Sequence, residues 1–387
     1  MEVGKMKNAK VRWIVFGFFL GFLLALAGPS PGAEKGSGLP GMMTWSAYDV
    51  GSRGYVQAAA ISNALTKKYG SKVRILPSGT SVGRLMPLKT GAATYGFLAD
   101  ETYFAAEAIY EFAYPDWGPQ DLRVILAHPA PTSMAATAKS GIRVPKDLRG
   151  KRIGWVLGAS TLNVKTEAFL AFAALTWNDV QKVEMPSYAA ALKGLIEGKI
   201  DATNAGITAP LMYELEASPQ GISWPEFPAS DVEGWKRVQQ VAPWLSPGKC
   251  DTGPGFKKGQ PKEIPFFTYP QLVTYARQNS AEVYALVKGV DETFNMYKDA
   301  DPEMPEWAIS RAGRTPAGAP FHEGAIRYLK EKGIWTAQAD QWNEKFLERL
   351  KKVQGAWKTA VEEAGVKKIS EKDFSEFWLK KRKEIGD

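Results

Sequence analysis

The sequence predicts an α/β fold of two lobes, each with a mainly parallel sheet flanked by helices, followed by a C-terminal helical extension. The 387 residues are 45% apolar, which allows a sizeable core, and the length is typical of two folding units. Strand-like and helix-like segments alternate, a pattern that favours parallel strands joined by crossover helices. Loops rich in Gly, Ser and Thr stand where the predicted strands pass into helices.

Residues 1–27 have the pattern of a secretory signal peptide. Four Lys or Arg residues precede an uncharged run from Trp13 to Ala27, which closes on Ala-Leu-Ala. The run is shorter than the ~20 residues that a transmembrane helix needs, and an uncleaved N-terminal anchor is the alternative. Cleavage after Ala27 removes four basic residues and one acidic residue, so the net charge falls from +8 to +5. We therefore expect an exported, periplasmic protein that has no nucleic-acid partner.

The first lobe is predicted at 42–130, after a linker at 28–41 that is rich in Gly, Ser and Pro. Its elements are a strand at 43–50, a helix at 55–69, a strand at 72–76, a helix after the turn at 77–81 and a strand at 94–98. This βαβαβ order predicts parallel strands, because consecutive strands are separated by helices.

The second lobe is predicted at 131–262. Its elements are strands at 134–139 and 151–156, a helix from the loop at 158–161 to Leu175, a strand within 177–186, a helix at 188–197 and a strand within 198–207. The following stretch at 218–262 is rich in Pro, Gly and Trp and shows no clear periodicity, which is long for a loop inside one compact domain.

The chain is predicted to return to the first lobe at 263–335, beginning with a strand that passes into a helix at 263–276. Residues 336–387 form the predicted helical extension. Its apolar residues recur every three or four positions, as an amphipathic helix requires; they are Trp342, Phe346, Leu350, Val353, Trp357 and Val361. The basic run at 380–383 is expected to be a solvated tail.

The residue types that enzymes use for chemistry are scarce. The single Cys, Cys250, excludes an intrachain disulfide and any Cys-rich metal site. The two His residues, His128 and His322, stand beside no Ser or Cys motif, so we expect structural or surface roles for them. The sequence has no GxSxG, HExxH or phosphate-binding-loop motif. We therefore predict no catalytic residue, no metal and no cofactor.

Three loops are the positive signal for ligand binding: GSRGY at 51–55, SGTSVGR at 78–84 and GASTLN at 158–163. Each precedes a predicted helix, whose N-terminal N–H groups attract carboxylate or phosphate. In open α/β sheets, ligands gather at the carboxyl ends of the strands, where these loops lie. Arg53 and Arg84 stand inside two of the loops, and an Arg can hold a carboxylate by two hydrogen bonds. For each loop taken alone, an ordinary helix cap is the alternative.

Four segments follow one another in an order that one receptor family shares. They are GSRGY at 51–55, SGTSVGRLMPLKTGAATYGFLADE at 78–101, DLRGKRIGWVLGAST at 147–161 with GLIEGKIDA at 194–202, and PFHEGAIRYLKEKGIW at 320–335. Together they resemble the TAXI family of solute receptors, the extracytoplasmic binding subunits of one branch of TRAP transporters. The third segment is shared with other type II periplasmic binding proteins, whereas the last is more specific to this family.

The chain departs from the family pattern at the cleft loops. Positions that differ are Arg53-Gly54, Val56-Gln57, Arg84, Thr94 and Gly158-Ala159-Ser160. The resemblance therefore implies the type II fold and the receptor role, but the family's better-known ligands, such as glutamate or 2-oxoglutarate, are not assumed.

The resemblance implies a receptor that captures a small organic anion between its lobes and delivers it to a TRAP-type membrane permease. Carboxylates, dicarboxylates, sulfonates and aromatic acids would all suit the predicted donors. The predicted ligand contacts are Ser52, Arg53, Gly54, Thr80, Ser81 and Arg84 from the first lobe and Ser160, Thr161 and Asn163 from the second, with Tyr55, Asp100 and Asn204 as further candidates. The alternatives are a binding module for a sensor or an ABC-type importer, and a periplasmic enzyme on the same fold.

Overall fold

The computed structural model of this chain describes residues 38–313 and 315–386. The predicted signal peptide at 1–27 and most of the linker at 28–41 lie outside the described residues. Within the described ranges, no helix is both long enough and apolar enough to cross a membrane.

Ten strands in the described residues form one mixed sheet. They are β1 (Met42–Ala47), β2 (Lys72–Pro77), β3 (Tyr95–Leu98), β4 (Leu122–Thr137), β5 (Arg152–Val156), β6 (Gln181–Met185), β7 (Ala202–Gly206), β8 (Ile222–Ser223), β9 (Ser246–Cys250) and β10 (Lys262–Tyr275). The strand order is β2-β1-β3-β10-β4-β7-β5-β6, with β8 on β4 and β9 on β10.

Helices flank this sheet and extend beyond it. They are α1 (Arg53–Tyr69), α2 (Ser81–Thr90), α3 (Glu101–Ala106), α4 (Ser160–Phe172), α5 (Tyr188–Ile196), α6 (Pro210–Ala217), α7 (Val232–Val241), α8 (Ser280–Glu292), α9 (Phe294–Tyr297), α10 (Ile309–Ala312), α11 (Glu323–Glu331), α12 (Ala337–Lys367) and α13 (Glu371–Lys383).

The long strand β4 connects the two halves of the sheet. Its residues from Leu122 to Pro131 pair with β10, whereas Thr132–Ala136 pair with β7. We call β1–β3 and β10, with α1–α3, lobe 1, and β5–β8, with α4–α6, lobe 2. Within each lobe, the strands that flank β1 and β5 run parallel to them, whereas β4 and β10 pair antiparallel with their neighbours. The predicted α/β fold class is confirmed, and these two long strands make the sheet mixed.

Three predicted elements differ from the structure. Residues 263–276 were expected to pass from strand to helix, but β10 is a strand throughout, because β3 and β4 pair with its two edges. The strand expected at 134–139 is the end of β4, which begins at Leu122. The stretch without periodicity at 218–262 contains α7, whose side chains Trp235 and Val238 are buried. A helix of ten residues between prolines gives too few repeats for its period to be recognised.

The helical extension is anchored on lobe 1. Arg349 of α12 and Arg382 of α13 both hydrogen-bond the carboxylate of Glu107, which is 2% exposed. Trp378 donates its indole N–H to the carbonyl oxygen of Ala108 at 2.7 Å. The run at 380–383 is therefore not wholly a solvated tail, because the Arg382 side chain turns inward to a buried carboxylate.

Candidate functional site

Two of the three predicted cleft loops cap a helix with a side chain, whereas α4 begins after Ala159 without a side-chain cap. The hydroxyl of Ser52 accepts a hydrogen bond from the Tyr55 backbone N–H at 3.2 Å, and that of Thr80 accepts one from Gly83 N–H at 3.0 Å. Each hydroxyl thereby satisfies an N–H that the first helical turn leaves without a partner. Ser52 follows the carboxyl end of β1, and Thr80 follows that of β2. Their role as ligand contacts stays a prediction.

The two lobes meet around a small cavity, which we call the cleft cavity. Its volume is about 20 Å³, enough for about one water molecule. Its walls combine aromatic rings, two cations and two uncharged polar side chains; they are Tyr48, Tyr188, Phe267 and Tyr269, Arg53 and Lys165, and Thr132 and Asn204, with Leu162 and Gly206. Of the predicted contacts, the structure brings Arg53 and Asn204 to this cavity.

Arg53 is the best-placed group for binding an anion. Its side chain is 1% exposed, forms an ion pair with Glu303, and donates from Nη1 to the Pro131 carbonyl oxygen at 3.3 Å. Its guanidinium lies 4.8 Å from the centre of the Tyr269 ring. The buried Nε and Nη2 atoms have no hydrogen-bond partner within the described part of the chain. Buried donors without partners are costly, so an anion that accepts from them would be favoured.

Lys165 is a second buried cation of the cleft cavity. It lies on α4, is 1% exposed, and pairs with Asp100 of lobe 1. Its ammonium is 4.5 Å from the centre of the Phe267 ring. Asp100, a predicted contact, is thus occupied by a cation from the opposite lobe. Burial raises the pKa of Asp100, and the Lys165 charge opposes this rise.

Arg84 lies behind the wall of the cleft cavity rather than in it. It is fully buried, its Nε is 2.7 Å from Oε1 of Glu101, and its guanidinium lies 3.5 Å from the centre of the Tyr48 ring. It supports the ring that forms the wall. Its predicted role as a ligand contact stays a prediction that the geometry does not favour.

Backbone donors and carboxylates hold the two lobes together. Ser81 N–H donates to the Gly158 carbonyl oxygen at 3.0 Å, and Ser160 N–H donates to Oε1 of Glu111 at 2.8 Å. Ala189 N–H, at the start of α5, donates to Oδ2 of Asp49 at 3.1 Å. The carboxylates of Glu111 and Asp49 therefore lie at the N-termini of α4 and α5, where the partial positive charge of a helix end favours them. Loops predicted to meet a ligand are here in contact with each other, as in a closed cleft.

The remaining predicted contacts have other neighbours. Both amide atoms of Asn163 hydrogen-bond the backbone of Val156, at 2.9 and 2.8 Å. Thr161 is buried on α4, whereas Tyr55 is half-buried and does not line the cleft cavity. Asn204 donates to the Thr132 hydroxyl at 3.0 Å. These assignments stay predictions.

Several cleft residues were missed by the sequence reasoning. Tyr269 and Glu303 stand far along the chain from the loops they contact, and no local pattern marks them. Lys165 had a usable signal, since it is a lone Lys in the largely apolar helix STLNVKTEAFLAF.

Close packing against Tyr269 leaves no room for a side chain at Gly54, and we expect a substitution there to destabilise the fold. A Cβ atom at this position would lie 2.3 Å from the hydroxyl oxygen of the buried Tyr269. Gly54→Ala should therefore displace Tyr269 and lower the free energy of unfolding by about 1–3 kcal/mol, as measured by urea denaturation. Gly355→Ala is the matched control, because a Cβ there meets nothing within 4 Å and Ala favours the helix. Equal stability of Gly54→Ala and wild type would contradict the expected clash.

We expect the stability of the protein to depend on pH because His128 is buried. Burial lowers the pKa of His128 to about 3, and the nearby Arg53 charge acts in the same direction. In the unfolded chain His128 takes up a proton near pH 6.5, whereas in the folded protein it stays neutral down to about pH 3. The free energy of unfolding is therefore highest above pH 6.5 and decreases as the pH falls from 6.5 towards 3. Between pH 7 and pH 5, this loss is about 2 kcal/mol.

The measurement is urea unfolding at pH 7, 6 and 5 for wild type and His128→Asn. The Asn side chain can still donate to the Pro129 carbonyl oxygen, which lies 3.0 Å from Nδ1 of His128. We expect a shallower pH slope for the variant over this range. Parallel slopes would mean that the His128 ring is not held neutral.

Among the described residues, no group of three or more His, Cys, Asp or Glu side chains is arranged to hold a metal. Cys250 is buried, and burial raises its pKa to about 11, so the thiol is protonated at neutral pH. His322 accepts from the Gly324 N–H at 3.1 Å and so caps α11.

The mixed α/β sheet shared by two lobes is consistent with the two-lobed fold of type II periplasmic binding proteins. The chain belongs to the NMT1-like family, whose sequence pattern matches residues 49–333. Among curated proteins, none matches the chain.

Three of the solved structures with remote similarity are named as solute-binding proteins. The alkanesulfonate-binding protein SsuA from Xanthomonas axonopodis pv. citri, bound to MOPS, is 16% identical with a TM-score of 0.39, over 76% of this chain and 91% of that one. A ligand-binding component of an ABC-type import system from Staphylococcus aureus is 10% identical with a TM-score of 0.43, over 76% and 92%. An ABC transporter periplasmic binding protein from Brucella ovis, with glutathione bound, is 12% identical with a TM-score of 0.42, over 69% and 76%.

Proposed function

We propose that this protein is an extracytoplasmic solute receptor that closes its lobes around a small organic anion and presents it to a membrane importer. The observation that carries the proposal is Arg53, whose buried Nε and Nη2 donors have no partner among the described residues and which lines the cleft cavity. Lys165 adds a second cation on the opposite lobe. A ligand that contacts both lobes favours the closed state by its higher affinity for that state.

The walls favour an anion with a flat apolar part. Four aromatic rings surround the two cations, so a carboxylate or sulfonate could pair with Arg53 while its body packs against Tyr269 and Tyr188. A cavity of about 20 Å³ does not accommodate such a molecule in the closed arrangement. The lobes must therefore separate before binding and close less tightly over the ligand than they do without it.

The test is a thermal-shift screen of carboxylates, dicarboxylates, sulfonates and aromatic acids on the purified protein. A ligand present at 100 times its Kd stabilises the folded state by about 2.7 kcal/mol, which raises the melting temperature by several degrees. Matched uncharged amides of the same acids are the control. If no acid shifts the melting temperature and no anion copurifies, the receptor proposal fails.

The importer is the finer part of the proposal. The sequence resemblance favours a TRAP-type permease, whereas the names of the Staphylococcus aureus and Brucella ovis structures connect those proteins with ABC-type transport. We take the ABC-type importer as the first candidate and the TRAP permease as the second. A neighbouring gene for an ATP-binding subunit would support the former, and one for a fused multi-span permease the latter.

Export to the periplasm belongs to the same proposal and rests on the sequence pattern at 1–27. N-terminal sequencing of the protein recovered from a periplasmic extract should begin at Gly28. Recovery with the membrane fraction and an intact N-terminus would instead indicate an uncleaved anchor.

A further inference from the structure

A second cavity lies across strand β10 from the cleft cavity. Its volume is about 320 Å³, within the range of small-molecule sites. Phe267 and Tyr269 line the cleft cavity, whereas Thr268 and Gln271 line this second space. Thr268 stands between Phe267 and Tyr269, so its side chain points to the opposite face of β10, and the register of the strand shifts between Thr268 and Gln271. The two cavities therefore lie on opposite sides of β10 at this point. We call the second cavity the aromatic pocket.

The wall of the aromatic pocket consists of four rings from three parts of the chain. Tyr103 comes from α3, Trp244 from the segment between α7 and β9, and Trp342 and Phe346 from α12. Ring centres are 5.8 Å apart for Tyr103 and Trp244, 6.4 Å for Tyr103 and Phe346, and 5.4 Å for Trp342 and Phe346. All four residues are only partly buried, so part of their surface remains accessible.

The charged group of the aromatic pocket is already paired, because the Asp100 carboxylate forms an ion pair with Lys165. Asp100, 4% exposed, is the only charged side chain among the described residues that line it. Lys165 donates a hydrogen bond to Oδ2 of Asp100. Gln271 cannot rearrange freely, because its amide donates to Ala99 O at 3.1 Å and accepts from Gly318 N–H at 2.7 Å. The preference of the aromatic pocket therefore rests on its four electron-rich ring faces, which attract cations.

The ring faces of the aromatic pocket hold no cation from the described chain, although the Arg382 guanidinium hydrogen-bonds the Tyr103 side chain. Elsewhere the protein places its own cations over rings, such as Arg84 over Tyr48 at 3.5 Å and Lys165 over Phe267 at 4.5 Å. No Lys or Arg of the described residues is recorded over the ring of Tyr103, Trp244, Trp342 or Phe346. The ring faces are thus available to a ligand.

We propose that the aromatic pocket binds a small organic cation, a quaternary ammonium or protonated amine with an apolar body, between its four rings. The cation lies against the ring faces, which attract it electrostatically. The aromatic pocket is a different cavity from the cleft cavity, and the Lys165–Asp100 ion pair connects the two.

The first experiment compares a cation with its uncharged isostere on the wild-type protein. Isothermal titration calorimetry is run with choline and with 3,3-dimethylbutan-1-ol, in which carbon replaces the charged nitrogen. We expect choline to bind at least about tenfold more tightly, which corresponds to about 1.4 kcal/mol. Equal affinities would overturn the cation assignment, and absence of choline and benzyltrimethylammonium binding at millimolar concentrations would overturn the site.

The second experiment locates the site. Trp342→Leu removes a partly exposed ring of the pocket, and Trp155→Leu removes a partly exposed ring of lobe 2 as the matched control. We expect the first variant to weaken choline binding at least about tenfold and the second to leave it unchanged. Unchanged binding in a folded Trp342→Leu protein, verified by its melting curve, would overturn the proposed location. If that variant does not fold, the isostere comparison on wild type still decides the cation assignment.

Discussion

Replacing Arg84 by Met is expected to lower the free energy of unfolding by about 3–5 kcal/mol. The guanidinium of Arg84 and the carboxylate of Glu101 are both fully buried, with Nε and Oε1 2.7 Å apart. Removing the cation leaves a charged carboxylate in the core, away from water and without its partner. The change also removes the guanidinium that supports the ring of Tyr48.

Urea denaturation of three variants measures this effect. Adding Glu101→Leu to Arg84→Met should recover much of the lost stability, because a buried pair replaced by apolar groups is often nearly neutral. Arg149→Met is the matched control, since its partner Asp179 is at the surface, and its midpoint should not change. A single variant as stable as wild type, or a double variant no better than the single one, would show that the unpaired Glu101 is not the cause.

Replacing Arg53 by Gln is expected to raise the Kd of the anion found by the screen by about 100-fold, or about 2.7 kcal/mol. The change removes the buried donors that face the cleft cavity. It also leaves Glu303 without its ion-pair partner, so the variant is combined with Glu303→Gln to preserve the fold. The Glu303→Gln single variant shows how much of the change comes from losing the pair.

Arg152→Gln is the control for the loss of positive charge. Arg152 pairs with Asp201 at the edge of lobe 2 and does not line the cleft cavity. Calorimetric titration should give a wild-type Kd for this variant. An unchanged Kd for the folded Arg53→Gln/Glu303→Gln protein would remove Arg53 from the binding site.

In the cleft loops, the sequence predicts the helix starts but not the ligand contacts. Gly, Ser and Thr between a strand and a helix predicted both the helix starts and the position of the loops. The caps at Ser52 and Thr80 follow from local chemistry, since a short side-chain oxygen reaches a backbone N–H three residues on. The same local pattern could not tell which of these donors a ligand would meet, because helix caps and ligand contacts use the same atoms.

The buried ion pairs of the two lobes could not be predicted from the sequence. Arg53 and Glu303 are 250 residues apart, and Lys165 and Asp100 are 65 apart. No spacing rule connects such residues, because their proximity follows from the sheet order and from the packing of the lobes. The aromatic pocket has the same origin, since Tyr103, Trp244 and Trp342 come from distant segments that only the folded chain assembles.

The sequence by itself determined the alternation of strands and helices, the helix starts and the long amphipathic α12. These depend on periodicity and on side chains that act within a few residues of their own position. The tertiary structure decided that β10 is a strand throughout and that Arg84 supports a wall while Arg53 and Lys165 line the cleft cavity. It also decided that Asp100 lines the aromatic pocket and pairs with Lys165. Those outcomes depend on long-range contacts, and burial gives each charge a partner that its neighbours in sequence do not supply.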